Sequence, residues 1–214
     1  MFSRIQDMFF EVNWRSSILP TGPALLLTLG GILLSACSAG TNFERPSADA
    51  IVLGKTTPDQ ITKTMGKPWK KLATESNGKK LEVIIYSYAE EYSPVGGPNA
   101  ALGRTIQLTF ADGRLAGHEF FSSFKNDHTD FDVSRIKEIR KSAHSTEDVL
   151  HILGAPTGQQ VYPLIDDAEQ LRWSYRYQQI PPRGIKVQYV KILHIYFDKN
   201  RKVKNLNFEE KGKR

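Results

Sequence analysis

Thr57-Pro58-Asp59-Gln60-Ile61-Thr62-Lys63-Thr64-Met65-Gly66-Lys67-Pro68 is a helix with both ends written into it. The Thr57 hydroxyl is placed to cap, Pro58 has the fixed φ that suits the first position, and Gln60 completes a capping box. Ile61, Thr64 and Met65 fall on one face. Gly66 ends the helix and Pro68 forbids its continuation. The same design returns at Ser145 to Pro156, where Ser145 caps and Asp148 takes the third position. Val149, Ile152 and Leu153 make the stripe there, and Gly154 and Pro156 stop it.

Working outward, most of the chain repeats at an offset of 88 residues, which makes a duplicated unit the first expectation. Thr41-Asn42-Phe43-Glu44 returns as Thr129-Asp130-Phe131-Asp132, and Ile51 as Ile139. One residue is then lost, so that Tyr86-Ser87-Tyr88 aligns with Trp173-Ser174-Tyr175 and Leu108-Thr109-Phe110 with Ile195-Tyr196-Phe197. Runs rich in Val, Ile and Tyr predict strands at 81–92, 105–110, 115–124, 170–178, 187–197 and 203–208. Asp112-Gly113 and Lys199-Asn200 read as hairpin turns, and Asn77-Gly78 as a further one. A short helix is expected ahead of each capped one, near 48–53 and 134–140. The expected fold class is α+β: two tandem units, each with two short helices packed on a three-stranded antiparallel sheet, or a four-stranded one if Asn77-Gly78 adds a hairpin. The expected boundaries are 43–126 and 127–214.

Ahead of the repeats, Ala24 to Leu34 is an apolar run too short to span a bilayer, which takes roughly 20 apolar residues. It ends in Leu34-Ser35-Ala36-Cys37, which resembles the lipobox of bacterial lipoproteins. The resemblance implies a signal peptide over 1–36, acylation of Cys37 (palmitate among the chains) and a lipidated linker over 37–42. Ser38 in place of aspartate implies an outer-membrane destination, with the body facing the periplasm. Cys37 is the one cysteine, so disulfides within the chain and thiolate zinc sites of the paired-cysteine type are excluded. A hydrophobic content of 40% with 24% charged residues is that of a globular chain. The net charge of +6 gathers at Lys67, Lys70, Lys71, Lys79 and Lys80, at Arg135 to Lys141, and at Lys199 to Arg214. Such clusters suit either solvent or anionic lipid headgroups.

Helix, Gly-x-Pro, aromatic strand and Phe-x-Asp-Gly together resemble the SmpA/OmlA family of BamE-like outer-membrane assembly lipoproteins. The residues that carry it are Gly54-Lys55-Thr56-Thr57, Ile61, Met65-Gly66-Lys67-Pro68, Tyr86, Tyr88 and Leu108 to Leu115, with Leu153 to Pro156, Trp173-Ser174-Tyr175 and Phe197 in the second copy. Ser142 replaces Gly54 there and Asn200 replaces Gly113, with Asn200 expected to take the positive φ of the turn. The resemblance implies a non-catalytic protein-interaction module in cell-envelope or outer-membrane protein assembly. The alternative is an extracytoplasmic inhibitor or ligand-binding lipoprotein acting through two long hairpin loops. Their candidate residues are Gly96, Gly97, Pro98 and Asn99, and Pro181, Pro182 and Arg183.

The chain offers little catalytic signal. Gly54-Lys55-Thr56 lacks the first glycine of a phosphate loop, and the histidines show no metal-ligand spacing. Asp127, His128, Asp130 and Asp132 read as an acidic linker. His194 should alternate to the surface of its strand. Trp173, Tyr175, Arg176 and Tyr177 read as an ordinary strand with one buried face, so no nucleic-acid partner is expected. Nor is a cofactor, a metal or an enzyme activity expected.

Overall fold

The structure, a computed structural model, describes residues 39–92, 100–178 and 189–212. They belong to one unit, Ala36–Arg214. In chain order the strands are β1 (Ala39–Gly40), β2 (Lys70–Ser76), β3 (Lys79–Tyr92), β4 (Ala100–Ala111), β5 (Arg114–Ser122), β6 (Gly158–Gln160), β7 (Leu171–Gln178), β8 (Val190–Phe197) and β9 (Val203–Lys211). All join a single nine-stranded antiparallel sheet, with β3 to β9 side by side in sequence order. β1 and β2 share the outer edge of β3: β1 pairs with Tyr88 and Ala89, and β2 runs from Ile85 down to Lys79.

The expected two small sheets are therefore wrong, and the reason is β6. This three-residue strand bonds β5 on one side and β7 on the other, which welds the two halves into one sheet. Gly158-Gln159-Gln160 carries no apolar alternation, so periodicity does not show it. Two helices per half is also wrong. Each half has one eight-residue α-helix, α1 (Pro58–Met65) and α2 (Thr146–Leu153). Residues 48–53 turn instead, because the Thr56 hydroxyl takes the Val52 N–H and donates to the Ala50 carbonyl. A side chain that serves the backbone in this way competes with a helix. The counterpart segment forms a 3₁₀ helix, Val133–Glu138, capped by Asp132.

Both capping boxes form as the sequence predicts, Thr57 with Gln60 and Ser145 with Asp148. Gly66 (φ 76°) and Gly154 (φ 78°) close the helices in a conformation that favours glycine. The freed carbonyls of these glycines accept hydroxyls from the sheet, Tyr86 to Gly66 and Tyr175 to Gly154, each at 2.8 Å. These bonds correct the alignment of the halves: Tyr86 corresponds to Tyr175, not to Trp173. The error is two residues, and a two-residue slip keeps every side chain on its own face.

Both helices lie on the same face of the sheet. Ile61 packs with Ile84, Tyr86, Ile106, Leu108, Phe110 and Phe120. Val149 and Ile152 pack with Trp173, Tyr175, Leu193, Ile195 and Phe197. Each fully buried side chain of this kind stabilises the fold by about 1.5–3 kcal/mol. Arg45 joins the two halves: its guanidinium sits 4.9 Å from the Phe120 ring centre and donates to the Pro156 carbonyl at 2.7 Å.

A buried cation marks the middle strand of each half. Arg104 on β4 is 2.9 Å from Asp127 and donates to Asn42 Oδ1 and the Phe43 carbonyl. Lys191 on β8 is 2.6 Å from Asp130 and donates to the Phe131 carbonyl. The cations lie 5.9 Å and 4.5 Å from the Phe43 and Phe131 ring centres. The repeated Thr-Asn-Phe-Glu and Thr-Asp-Phe-Asp segments are thus the lids over these cations. Asp127 and Asp130, read as linker acids, are their counter-ions.

Candidate binding face

The face opposite the helices is built from the alternate residues of each strand. Cross-strand register sets it out in rows. One row reads Val83, Thr109, Gly117, Gln160, Arg172, Tyr196, Asn205. The next reads Ile85, Gln107, Glu119, Gly158, Ser174, His194, Asn207. A third carries Ser87, Thr105 and Phe121 in the first half, and Arg176, Ile192 and Glu209 in the second.

The first half of this face is closed. Val83, Ile85, Gln107, Thr109 and Phe121 are all buried. Over its lower corner lies the connection between β6 and β7. Leu164 packs with Leu81 and Ala116 and fills the space above Gly117, where an added Cβ would come within 2.5 Å of it. Ser76 and Asn77 hold that connection by donating to the Pro163 carbonyl at 2.7 and 3.0 Å.

The second half is polar and more open, with Ser174 and Arg176 buried in it. Arg172, Gln178, Ile192, His194 and Tyr196 are partly exposed, and Asn205, Asn207 and Glu209 are exposed. At its inner border Glu119 folds over Gly158, whose absent Cβ would lie 2.4 Å from Glu119 Oε2. Thr157 donates to Glu119 Oε1 at 2.7 Å and accepts the Arg176 N–H at 3.0 Å. Burial drives the Glu119 carboxyl up from its ordinary range, opposed by the Thr157 bond and the Arg176 charge. Burial likewise lowers Arg176.

His194 is a correction: it is partly buried, with Nδ1 3.2 Å from the Ser174 hydroxyl. Burial, then the charges of Arg172 and Arg176, lower it to about 4, so it is neutral at pH 7. Arg172 Nε and Gln160 Oε1, neighbours in register, are buried atoms without a hydrogen-bond partner. Buried polar atoms are nearly always paired, and a donor beside an acceptor is closed by a small side-chain rotation or by a water.

Trp173, Tyr175 and Tyr177 face the helices, and Arg172 and Arg176 face away. That alternation is the signal from which the face can be read, although Glu119, Gln160 and Ser174 carry none in sequence. Asn200 is not the positive-φ residue of its turn; Arg201 is (φ 59°), because Asp198 accepts the N–H groups of Asn200 and Lys202. Asp166 and Asp167 do structural work: Asp166 accepts from Asn77, and Asp167 from Glu169 and Gln170. Leu34, Ser35, Ala36 and Cys37 lie outside the described residues, as do the loop candidates Gly96, Gly97, Pro98, Asn99, Pro181, Pro182 and Arg183. Among the described residues no three or more His, Cys, Asp or Glu gather as metal ligands, and no helix is long and apolar enough to cross a membrane.

No protein-family model matches the chain, and no curated protein matches it in sequence. Among solved structures, the chain is similar to a protein from Streptococcus mutans whose crystal structure names it as a candidate β-lactamase inhibitor protein. The identity is 13%, 72% of this chain and 82% of that one are covered, and the TM-score is 0.40. A likeness of that order leaves function to be argued from the chain's own residues.

Proposed function

We propose that the protein is a lipid-anchored, non-catalytic binding module of the bacterial outer membrane that takes an acidic protein segment on the open half of its sheet. The observation that carries the reading is Arg172, a partly exposed cation in one row with the partly exposed Tyr196 and the exposed Asn205. A carboxylate accepts from a guanidinium in a bidentate, charge-assisted pair. His194 adds no charge at neutral pH, so Arg172 and the buried Arg176 are the cations of the face, beside the Glu119 carboxyl, which burial raises. The lipobox resemblance supports the anchor at Cys37, and the resemblance to the SmpA/OmlA family supports a role in envelope assembly.

The test places a photo-crosslinking residue at Tyr196 in living cells. The expected product joins this chain to an envelope protein through a segment that contains Asp or Glu. Arg172→Glu should lower its yield about tenfold or more, since a hydrogen bond to a charged group contributes about 1.5–3 kcal/mol. Undiminished crosslinking in Arg172→Glu overturns the reading. The intact mass of the membrane-extracted protein and the release of Cys37→Ala into the soluble fraction test the anchor separately.

A further inference from the structure

The first described residues are already part of the sheet. Ala39 and Gly40 pair with Ala89 and Tyr88 of β3. Asn42 and Phe43 then accept from the buried Arg104, which Asp127 holds in place. Between Cys37 and this pinned segment stands a single residue, Ser38. Two residues of extended chain reach at most about 7 Å. Lipoproteins held on a long polar stalk can turn freely; here the chain has no length for a stalk.

The antiparallel register also gives the direction. The chain is opposite Ala89 at Ala39 and opposite Tyr88 at Gly40, so it comes into β1 from the side of Ala89 that leads to the end of β3 at Tyr92. The start of β4 at Ala100 and the end of β5 at Ser122 lie at that same end. Phe124 stacks on Tyr88 at 5.9 Å, which brings the exposed Lys125 beside the point of entry. At the other end are the turns Asn77-Gly78 and Asp112-Gly113, and the exposed Lys79 and Lys80. Nine strand residues separate Lys80 from Ala89, about 30 Å at the usual rise.

We infer that the end of the first half formed by Tyr88 to Tyr92, Ala100 and residues 122–126 sits directly on the lipid surface. The basic hairpin of β2 and β3 then stands about 30 Å out in the periplasm. The inference rests on acylation of Cys37, and it adds what that reading leaves open: which side of the body touches the membrane. It also decides between two pulls. Lys67, Lys70, Lys71, Lys79 and Lys80 are attracted to anionic headgroups by about 1 kcal/mol each, but only within a Debye length of the surface. A covalent tether of two residues outranks them.

The experiment uses the acylated full chain, purified from membranes and reconstituted in vesicles of three parts phosphatidylethanolamine to one part phosphatidylglycerol. Cys37 is the one native cysteine and its sulfur is occupied by lipid, so Lys125→Cys and Lys80→Cys each give a single site for a fluorophore. Lipids with a nitroxide on the headgroup act as the quencher. Strong quenching at position 125 with little at position 80 is the expected result. A Gly/Ser stalk of twelve residues inserted between Ser38 and Ala39 has a reach of roughly 20 Å and should abolish the difference. Equal quenching at the two sites in the unmodified chain overturns the inference, as does stronger quenching at position 80. If neither protein floats with the vesicles and the mass shows Cys37 unacylated, the anchor itself fails, an outcome separate from a tethered body in the wrong orientation.

Discussion

Val83 and Arg172 occupy the same place in the two halves of the sheet, and so do Ile85 and Ser174, Gln107 and His194, Glu119 and Asn207, and Phe121 and Glu209. On the helix side the matching pairs are Ile84 with Trp173, Tyr86 with Tyr175, Ile106 with Leu193 and Phe110 with Phe197. One face has kept its chemistry in both copies. The other differs: Val83, Ile85 and Phe121 are buried in the first half where Arg172, Ser174 and Glu209 stand in the second. The helix side is held by an unforgiving packing problem, since a small helix must bury its stripe and satisfy its last carbonyl. The outer face of the first half is interior beneath Leu164 and its neighbours, whereas that of the second has no such cover among the described residues.

Breaking the shared design should cost most at the buried cations. Arg104→Met removes the cation that faces Asp127, and Lys191→Met the one that faces Asp130. Removal of one member of a buried pair destabilises by about 3–5 kcal/mol. Equivalence of the halves predicts losses of similar size, read from urea unfolding at pH 7.5. A loss below about 1 kcal/mol at one site, in the range of a surface ion pair, would show that the two clamps are alike in geometry only.

Acid should separate the halves next. His118, in the first half, is buried against Leu108 and near Arg45, and burial lowers it to about 4. His194, in the second, is lowered to about 4 as well but is partly exposed. In the unfolded chain both titrate near pH 6.5. Their contribution is therefore complete above that pH and is lost as the pH falls toward 4, where the unfolded chain binds protons that the folded one does not. For His118 the loss is on the order of 3 kcal/mol, and for His194 it is less. Glu119 acts with the opposite sign: its carboxyl is raised, so its effect favours the fold in acid and is lost as the pH rises through its shifted range. Urea midpoints at pH 7.5 and 5 should show His118→Gln flattening the acid loss more than His194→Gln does. The reverse order would place the drier histidine in the second half.

A smaller and mirrored effect tests the backbone. Gly54 (φ 71°) and Ser142 (φ 61°) are equivalent, and both are left-handed. Gly54 donates its N–H to the Leu115 carbonyl and Ser142 to the Val203 carbonyl, at 2.8 and 2.7 Å. An added Cβ at Gly54 meets nothing within 4 Å, so its cost is conformational alone. Gly54→Ser should destabilise by about 1 kcal/mol and Ser142→Gly stabilise by about as much. Melting curves that move in the same direction would break the equivalence.

These pairs also show what the chain discloses before it folds. The caps Thr57 and Ser145, the stops Gly66 and Gly154, and the longer strands are legible because each rests on neighbours in sequence. The alignment of β3 with β7 comes out two residues wrong because Tyr-Ser-Tyr and Trp-Ser-Tyr look alike. What identifies Tyr175 is a hydrogen bond to a helix end, which sequence does not show. The slip does no harm to the faces, since strands repeat every two residues. β6 is illegible: a polar tripeptide becomes a strand only because β5 and β7 offer it two edges at once. The binding face suffers in the same way. Arg172 and Arg176 can be assigned outward from Trp173 and Tyr175, but Glu119 and Gln160 arrive from other strands by register.

The last exchange, Arg172→Val, carries the residue of the closed face into the open one. Val83 is buried at its position, whereas Arg172 is partly exposed and leaves Nε unsatisfied. Removing that orphaned donor takes away no hydrogen bond within the chain, so stability should change by no more than about 0.5 kcal/mol, or rise slightly. Binding should respond in the other sense. With the guanidinium gone, the crosslink from Tyr196 to its acidic segment should be lost while the urea midpoint holds. If instead stability collapses and binding survives, Arg172 is a structural residue whose partner is a buried water, and the difference between the two outer faces belongs to folding rather than to recognition.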